Sequence, residues 1–540
     1  MNKTLRIILA QLNFIVGDLV VNMKKHMDAC INARDQLSAD LIVFPELSLT
    51  GYTPEDLLLR PGFISDANQT LSEIVQQIEG IHVAIGHPFA KKNGLFNAYS
   101  IFYNGVLLGR CEKNNLPNYG VFDERRYFMS GDGFCVVPIH DVPIGFIICE
   151  DLWYQAPAKR AKDNQARLII SPNASPFEVD KQERRRKMLS NRAIENQLPI
   201  FYVNQVGGQD DLIFDGDSMI MNAQGEICQN AEICKENLLS ANISIDGNTL
   251  SIPKNPLLIN EKIESIYQCL VLAVKDYVTK NHFKKVILGV SGGIDSALTL
   301  AIAVDALNAD CVKGIFMPSR YTSDTSMTDA LAVIKNFGIQ YEIISIEPMY
   351  QSFLNILTEP FQNYPENVTE QNIQARCRAI ILMALSNKFG HLVLTTGNRS
   401  ELAVGYCTLY GDMVGGFSVL KDIPKTMVYE LANYRNRAQQ VIPQSIIERA
   451  PTAELAENQQ DSDTLPPYEV LDAILEKYID NMQSASEIAQ QGYDKILVDQ
   501  IICFINKNEY KRRQAAVGAR INHKAFGKDR RYPITNGYKG

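Results

Sequence analysis

A chain of 540 residues, 46% hydrophobic and 21% charged, has the composition of a soluble globular protein and the length of two or more domains. Its net charge of −8 disfavours nucleic acid as the main partner, and the lack of a long apolar run argues against a membrane span. Eleven cysteines without a C-x-x-C pair, and an opening segment unlike a signal peptide, predict a reduced, cytoplasmic protein without a zinc cluster.

The first half of the chain alternates short β-rich segments with helical patterns. The predicted helices are 20–37, 64–79 and 181–197. The predicted strands are 6–12, 40–47, 82–88, 99–105, 144–150, 166–172, 200–206 and 218–224. This mixture indicates an α/β domain with a large sheet over residues 1–245.

A segment rich in turn formers and proline, 246–259, is predicted to be a linker to a second domain at 260–540. The helices predicted there are 260–280, 296–307, 326–337 and 371–388, and the tail from 465 onward is mostly helical. The predicted strands are 285–290, 312–317, 341–346 and 392–396. Strands separated by roughly 25 to 30 residues suit right-handed βαβ units, so a parallel sheet is expected.

The loop 291–296, Ser-Gly-Gly-Ile-Asp-Ser, lies between a predicted strand and a predicted helix. Free backbone N–H groups and the helix dipole converge at such a turn, which makes it a natural anion site. Its glycines allow the backbone to approach an anion closely, and Asp295 adds a carboxylate that can hold a divalent cation on phosphates. The Lys-Ser/Thr ending of a Walker loop is absent. A lone Gly-Gly after a strand is often only a tight turn, so the loop by itself leaves both interpretations open.

Taken with its neighbours, the loop resembles that of the N-type ATP pyrophosphatases, which grips the β and γ phosphates while the α phosphorus is attacked. The blocks 372–387, 392–412, 421–434 and 448–472, with the final KDRRYPIT, make residues 260–540 similar to the NAD synthetase family. The resemblance implies a Rossmann-like parallel-sheet domain that uses ATP and Mg²⁺. The nicotinate carboxylate of deamido-NAD would be adenylated, and ammonia would then convert it to the amide of NAD.

Carried over residue by residue, this resemblance implies three sets of contacts. The implied ATP-binding residues are Gly289, Val290, Ser291, Gly292, Gly293, Ile294, Asp295, Ser296 and Thr396. The implied contacts to deamido-NAD are Asn372, Glu401 and Lys511, and Mg²⁺ is expected near Asp295 and Glu401. Leu409 stands where the short synthetases have a lysine, so that contact does not transfer. The alternative interpretations are an exposed capping acid for Glu401 and a solvated helix charge for Lys511.

The attacking nitrogen must be uncharged, whereas free ammonia at neutral pH is almost all ammonium. Cys149 stands at the end of the strand predicted at 144–150, where a thiol can face a pocket. Together with the segments around Glu46 and Lys113, it makes residues 4–240 resemble the nitrilase/amidase superfamily, which implies an αββα sandwich. Considered one at a time, Cys149 would be a buried apolar thiol, Glu46 an acid at a strand end, and Lys113 a surface lysine.

The nitrilase resemblance assigns roles to this set and implies a glutamine site. Cys149 would attack the amide, Glu46 would act as general base, and Lys113 would stabilise the oxyanion, with Glu124 supporting the base. Tyr119, Ser175 and Lys181 would bind L-glutamine.

Together the two resemblances imply a ligase that makes NAD from deamido-NAD, ATP and glutamine. They also imply an ammonia channel between the two sites and a homodimer or larger homo-oligomer. One alternative is another amidating or thiolating ATP pyrophosphatase, such as a GMP synthetase-like or tRNA-thiolating enzyme. A second is a nucleotide-binding regulatory protein without turnover, which two intact sets of catalytic residue types disfavour.

Overall fold

The structure is a computed structural model that describes residues 3–247, 249–457 and 459–538. The chain divides into two compact units, residues 1–261 and residues 262–540. Each unit contains its own sheets and its own buried apolar clusters.

The first unit consists of fifteen described strands and four described α-helices. Its helices are α1 (Leu19–Asp35), α2 (Pro61–Gln77), α3 (Gln155–Asp163) and α4 (Lys181–Asn196). Its strands up to Asn173 are β1 (Lys3–Gln11), β2 (Leu41–Val43), β3 (His82–Lys91), β4 (Gly94–Tyr103), β5 (Val106–Glu112), β6 (Cys135–Ile139), β7 (Val142–Phe146) and β8 (Leu168–Asn173). The remaining strands are β9 (Ile200–Asn204), β10 (Val206–Gln209), β11 (Leu212–Asp215), β12 (Met219–Met221), β13 (Ile227–Asn230), β14 (Asn237–Asp246) and β15 (Thr249–Ser251).

Thirteen of these strands form two large mixed sheets that pack face to face, and β10 and β11 form a separate antiparallel pair. One has the order β15-β14-β1-β2-β3-β4-β5 and the other the order β13-β12-β9-β8-β7-β6. Along β1, Leu5, Ile7 and Leu9 pack between the sheets, while Ile8 and Ala10 pack against α1 and α2. This strand is apolar at successive positions because a strand covered on both faces buries every side chain. Helices α3 and α4 cover the outer face of the second sheet, which confirms the αββα sandwich.

The predicted linker 246–259 differs from the expected irregular connection. Thr249–Ser251 forms β15, which pairs antiparallel with β14. The next residues run beside β13, where the Asn255 N–H donates to the Cys228 carbonyl at 2.9 Å and Asn230 bonds both ways with Leu258. Turn formers and prolines mark irregular backbone, but side-chain amides and a free strand edge can still hold it in place.

The second unit consists of five described strands and twelve described α-helices. Its strands are β16 (Val286–Gly289), β17 (Val312–Phe316), β18 (Gln340–Ile343), β19 (Leu392–Thr395) and β20 (Phe417–Ser418). Its first seven helices are α5 (Lys262–Lys280), α6 (Ile294–Leu307), α7 (Asp324–Phe337), α8 (Glu347–Leu357), α9 (Val368–Phe389), α10 (Arg399–Val404) and α11 (Lys425–Asn436). The other five are α12 (Gln444–Glu448), α13 (Tyr468–Leu475), α14 (Ala485–Gln490), α15 (Lys495–Lys507) and α16 (Glu509–Arg512).

The five strands of this unit make one parallel sheet in the order β18-β17-β16-β19-β20. The chain moves outward in one direction from β16 to β18 and then returns to the other side of β16 at β19. The crevice beyond the carboxyl ends of β16 and β19 is the point where this order reverses, and open α/β sheets bind ligands there. The parallel-sheet prediction is confirmed, and the loops after β16 and β19 are the two that carry predicted ATP contacts. Among the helices of the described ranges, none combines the length and apolar character that crossing a bilayer requires.

Candidate active sites

The Glu46–Lys113 pair in the first unit is almost completely closed to solvent. Both side chains are 1% exposed, and the Lys113 Nζ donates to Glu46 Oε1 at 2.7 Å. The same ammonium donates to Glu124 Oε1 at 2.8 Å, and Glu124 also accepts from the Tyr52 hydroxyl at 2.8 Å. A buried ammonium is tolerated only when carboxylates compensate its charge, so this network fixes the lysine in place.

Cys149 lies beyond the end of its strand and not in it. Strand β7 ends at Phe146, and Cys149 begins a short 3₁₀ helix, Cys149–Trp153, with φ at +41°. A non-glycine residue in this region is strained and is held there by its surroundings, an arrangement that recurs at functional sites. The strand expected over 144–150 therefore ends early, because the backbone turns to present the thiol.

The electrostatics of this set favour a thiol in the resting state. Burial, together with the charge of Glu46, raises the pKa of Cys149 well above its usual range, although Lys113 opposes the shift. Burial would lower the pKa of Lys113, but Glu124 and Glu46 outweigh it, and the net effect is a strongly raised pKa. Burial raises the pKa of Glu124 to about 7, with Lys113 only partly compensating. The cysteine therefore needs a base to remove its proton, and Lys113 stays cationic.

The candidate glutamine residues lie in the same unit, and one residue that was not singled out joins them. The Tyr119 hydroxyl donates to both oxygens of Glu150 at 3.1 Å, and the Lys181 ammonium lies 5.7 Å from the Phe122 ring centre. Burial raises the pKa of Glu150, and Lys113, Tyr119 and Lys181 oppose that shift, so the lysine charges act on this carboxylate. Ser175 is buried and its N–H donates to Asn204 Oδ1 at 2.9 Å.

Glu150 and Asp151, directly after the cysteine, were missed as functional residues. Asp151 is buried, accepts the N–H of Asn114 at 2.9 Å, and accepts the N–H and side-chain amide of Asn115 at 2.7 Å each. It thereby fastens the cysteine turn to the segment after Lys113. The sequence signal that could have identified them is a pair of acidic residues directly after a candidate nucleophile.

The phosphate-loop candidate of the second unit has the local geometry that the sequence indicated. The Ser291 N–H donates to Ser296 Oγ at 3.2 Å, the Gly293 N–H donates to Ser291 Oγ at 3.2 Å, and α6 starts at Ile294. Gly292 has φ at +85°, and a Cβ there would lie 2.4 Å from the Ser326 carbonyl oxygen. Only glycine fits at this position, so the loop depends on it.

Two carboxylates and a lysine meet at the carboxyl edge of this sheet. Asp295 accepts from the Asn398 side-chain amide at 2.9 Å and pairs with the Lys425 ammonium, whose Nζ also lies 3.4 Å from Glu401 Oε1. Burial and the Asp295 charge raise the pKa of Glu401 to about 8, although Lys425 opposes the shift. Burial acts to lower the pKa of Lys425, but the two carboxylates raise it overall.

The oxygen donors at this edge suit Mg²⁺. Mg²⁺ typically binds one or two carboxylates together with substrate phosphates, and Asp295 and Glu401 supply such a pair beside a phosphate-type loop. Within the described ranges, no cluster of three or more His, Cys, Asp or Glu could hold a metal by itself. The pair therefore fits an ion that is shared with phosphates.

Two adjoining cavities open at this edge. The first, of about 1250 Å³, is lined by the loop 291–296 and by Thr396, Glu401 and Lys425. The second, of about 1090 Å³, is lined by Gly289, Val290 and Thr396 and by apolar side chains such as Ile315 and Leu382. A cavity lined by the phosphate-type loop beside one lined mainly by apolar side chains can accept phosphates next to a nucleobase.

The three residues implied for deamido-NAD do not all line these cavities. Glu401 lines the first cavity, but Asn372 accepts from the Thr408 hydroxyl at 2.7 Å. Lys511 donates to the carbonyls of Gly405 and Cys407 at 2.7 and 2.8 Å. Asn372 and Lys511 thus hold the loop after α10, and Leu409 accepts from Arg376 Nε there through its carbonyl.

Lys425, Asn398, Arg449 and Glu454 also line the first cavity but were not singled out. Glu454 accepts from the hydroxyls of Ser323 and Ser326 at 2.8 Å each, and from Arg449 at 2.6 Å. These residues lie inside blocks that supported the family resemblance, so the signal was their position in a recognised block and not a local pattern.

The chain is similar to proteins of one family over its whole length. Residues 6–248 match the carbon-nitrogen hydrolase family model, and residues 266–515 match the NAD synthase model. The glutamine-dependent NAD(+) synthetases of Acinetobacter baylyi and Thermotoga maritima are 46% and 42% identical to it, each alignment covering 99% of both chains.

Solved structures agree with these relatives. The glutamine-dependent NAD+ synthetase from Acinetobacter baumannii, in complex with ADP, is 44% identical, covers 99% of both chains and has a TM-score of 0.81. The enzyme from Cytophaga hutchinsonii, at 23% identity and a TM-score of 0.84, shares the fold over 99% of this chain and 98% of its own. This chain therefore belongs to the glutamine-dependent NAD(+) synthetase family.

Proposed function

We propose that this protein is a glutamine-hydrolysing NAD⁺ synthetase. It converts deamido-NAD⁺, ATP, L-glutamine and water to NAD⁺, AMP, diphosphate and L-glutamate. The observation that supports this proposal is that one chain brings together the residue types that amide hydrolysis and carboxylate activation each require. Glu46, Lys113 and Cys149 are gathered in the first unit, and the loop 291–296 meets Glu401 and Lys425 in the second.

In the first unit, the chemistry is amide hydrolysis through a thioester. Glu46 takes the proton of the Cys149 thiol, the sulfur attacks the amide carbon of glutamine, and the Lys113 ammonium stabilises the oxyanion. Protonated Glu46 returns the proton to the departing nitrogen, so NH₃ leaves uncharged. Glu46 then deprotonates a water that attacks the thioester, which releases glutamate and restores the thiol.

Glutamine carries an ammonium and a carboxylate beyond its reacting amide, and the site offers a charge for each. We assign the Glu150 carboxylate to the ammonium, because it is buried and hydrogen-bonded by Tyr119. We assign Lys181 to the carboxylate, because its positive charge acts beside Glu150 and the Phe122 ring. Ser175, which is buried in the turn after β8, is assigned as a further glutamine contact.

In the second unit, the chemistry is activation of a carboxylate. The nicotinate carboxylate of deamido-NAD attacks the α phosphorus of ATP, and diphosphate leaves toward the loop 291–296 at the N-terminus of α6. Asp295 and Glu401 would hold Mg²⁺, which compensates the charge that collects on diphosphate. The Lys425 ammonium adds a fixed positive charge between these carboxylates. NH₃ then displaces AMP from the adenylate.

The assembly and location of the enzyme are part of the same proposal. Ammonia passes from the first site to the second through an internal channel, because NH₃ released to water would be protonated. We further propose a cytoplasmic homodimer or larger homo-oligomer with domains at 1–245 and 260–540, joined through 246–259. Neither nucleic acid nor a membrane is a partner.

The test follows nitrogen from glutamine into the dinucleotide. The protein is incubated with ATP, Mg²⁺, deamido-NAD and glutamine labelled with ¹⁵N in its amide, and the carboxamide of NAD is analysed by mass spectrometry. Labelled NAD together with AMP and diphosphate is expected. Unlabelled NAD, or no NAD from either glutamine or ammonium, would refute the proposal.

Cys149→Ala tests whether glutamine hydrolysis and NAD formation take place at separate sites. It should abolish glutamine-dependent NAD synthesis, by about 10³-fold or more for a lost nucleophile, and leave ammonium-dependent synthesis nearly unchanged. Cys228→Ala, at another buried cysteine of the same unit, is the matched control and should keep both activities. Equal loss of both activities in folded Cys149→Ala protein would contradict this division of labour.

A further inference from the structure

We infer that Asn97 is a positioning residue of the glutaminase site that determines which oxygen of Glu46 exchanges protons with Cys149. The inference rests on the proposed function, because it concerns the base of the glutamine-hydrolysing set. It adds a residue that neither touches the thiol nor belongs to the Glu46–Lys113–Cys149 set.

Asn97 connects both of the charged residues of that set. It lies on β4, is 1% exposed, and its Nδ2 donates to Glu46 Oε1 at 2.7 Å. Its backbone carbonyl accepts the N–H of Lys113 at 2.9 Å. One residue therefore orients the carboxylate through its side chain and holds the lysine backbone through its main chain.

These contacts distinguish the two oxygens of Glu46. Oε1 accepts two short bonds, from the Lys113 ammonium and from the Asn97 amide at 2.7 Å each. Oε2 accepts one long bond, from the N–H of Ala174 at 3.2 Å. A carboxylate oxygen has about two acceptor positions, so Oε1 is saturated and Oε2 keeps one free. Oε2 is therefore the oxygen that takes the thiol proton.

The orientation of the Asn97 amide is fixed by its chemistry. If the amide were flipped, its oxygen would face the Glu46 carboxylate and two acceptors would repel each other. In the observed orientation Oδ1 is buried and has no hydrogen-bond donor among the residues that the structure describes. An apolar replacement consequently removes an unsatisfied acceptor together with the donor, so leucine, which has nearly the same shape, is suited to test the role without unfolding the sheet.

The experiment compares Asn97→Leu and Asn97→Asp with the wild-type full chain. Glutamine-dependent kcat and KM are measured from pH 5 to pH 9, with ammonium-dependent NAD synthesis and thermal unfolding measured alongside. Asn196→Leu is the matched control, since Asn196 is also buried in this unit but its side-chain amide donates to the Arg192 carbonyl of the same helix.

For Asn97→Leu we expect kcat with glutamine to fall by at least about tenfold, which is part of the roughly 10²–10⁴-fold that a positioned base contributes. KM for glutamine should change little, because Asn97 contacts the base and not the predicted glutamine residues. The acidic limb of the pH profile should move up by about one pH unit, because the charged form of the base loses a donor. Asn97→Asp should move this limb further, since it places a second carboxyl group beside the first.

Three results would overturn the inference. The first is a normal kcat in Asn97→Leu, and the second is a raised KM with normal kcat, which would make Asn97 a substrate contact. The third is a lower kcat in Asn97→Leu with an unchanged acidic limb and a lower unfolding temperature, when Asn196→Leu shows the same changes. That result would make the role of Asn97 purely structural. The wild type tests the proposed function separately. If it makes NAD from glutamine in the same assay, the proposed function stands even when the inference about Asn97 fails. If it makes no NAD, the proposed function itself is refuted.

Discussion

The two candidate sites each contain a lysine whose ammonium lies between two carboxylates, but the surroundings of the two lysines differ. Lys113 lies between Glu46 and Glu124, and all three side chains are at most 6% exposed. Lys425 is equally buried, yet its partners Asp295 and Glu401 are 18% and 20% exposed and line an open cavity.

This difference matches what each site has to do. In the first unit the lysine must stay in one place through thioester formation and hydrolysis, and a sealed network keeps it there. In the second unit the carboxylates must be reached by a metal ion and by ATP phosphates, so the ion pair has to remain open on one side. Under the proposed function, the same charge arrangement would support the oxyanion in one site and bind an exchangeable metal ion and phosphates in the other.

The largest effect is expected at the open site. Asp295→Asn should reduce NAD formation from both glutamine and ammonium by about 10²–10³-fold, because it removes a carboxylate that would hold Mg²⁺ on the departing diphosphate. Asp305→Asn is the control on the same helix, since Asp305 pairs with Arg435 and Tyr267 away from the loop. Steady-state NAD formation measures both variants. A normal rate in Asp295→Asn would contradict the assigned role.

The next test compares the two lysines directly through stability. Lys113→Met leaves two sealed carboxylates without a counter-charge, and the loss of one partner of a buried pair costs about 3–5 kcal/mol of unfolding free energy. Lys425→Met should cost less, because water reaches Asp295 and Glu401. Thermal unfolding of the full chain with and without Mg²⁺ measures both changes.

Added Mg²⁺ should recover stability in Lys425→Met and have no such effect in Lys113→Met. Equal losses in the two variants, or a Mg²⁺ response in both, would show that the two lysine sites do not differ in access.

A smaller effect is expected on substrate selection. Glu150→Gln should reduce the preference for glutamine over 4-carbamoylbutanoate, which lacks the α-amino group, by about 10- to 100-fold, the value of one hydrogen bond to a charged group. The ratio of kcat/KM for the two amides measures it. Glu226→Gln, at an exposed glutamate paired with Lys254, should leave the ratio unchanged. An unaltered ratio in Glu150→Gln would remove this residue from the glutamine site.

A further test concerns the pH dependence of stability. Burial raises the pKa of Glu124 from 4.5 to about 7, so between these values the folded protein holds a proton that the unfolded chain releases. The stability that this group contributes is therefore complete below pH 4.5 and is lost as pH rises through about 7.

Glu124→Gln cannot titrate at this position. The unfolding free energy of wild type relative to Glu124→Gln should thus fall from pH 5 to pH 8 by up to about 3 kcal/mol, as urea unfolding at the two pH values would reveal. Glu79→Gln, at an exposed glutamate, is the control. A relative stability that rises over this interval would reverse the sign and contradict the burial argument.

Most residues of both candidate sites could be predicted because they belong to short sequence motifs. The glycine loop before α6 and the carboxyl end of β19 carry their meaning in consecutive residues, and the structure brings Ser291, Asp295 and Glu401 to one cavity. Local patterns failed where backbone geometry mattered, as at Cys149: its strand ends at Phe146, four residues before the predicted end, and the cysteine lies in a strained turn. Local patterns also failed at 249–258. Its turn-forming residues predicted a linker, but the segment contains β15 and then runs beside β13.

By itself the sequence determined two α/β domains, the apolar strands of their cores and the types of residue in both catalytic sets. Periodicity and glycine positions act over a few residues, so they can be recognised without the fold. Only the tertiary structure decided which charges pair. Lys425 meets Asp295 across 130 positions of sequence, and Asn97 meets Glu46 across 51. Such pairs depend on how distant segments pack, and the sequence of one segment does not specify which residue it will contact.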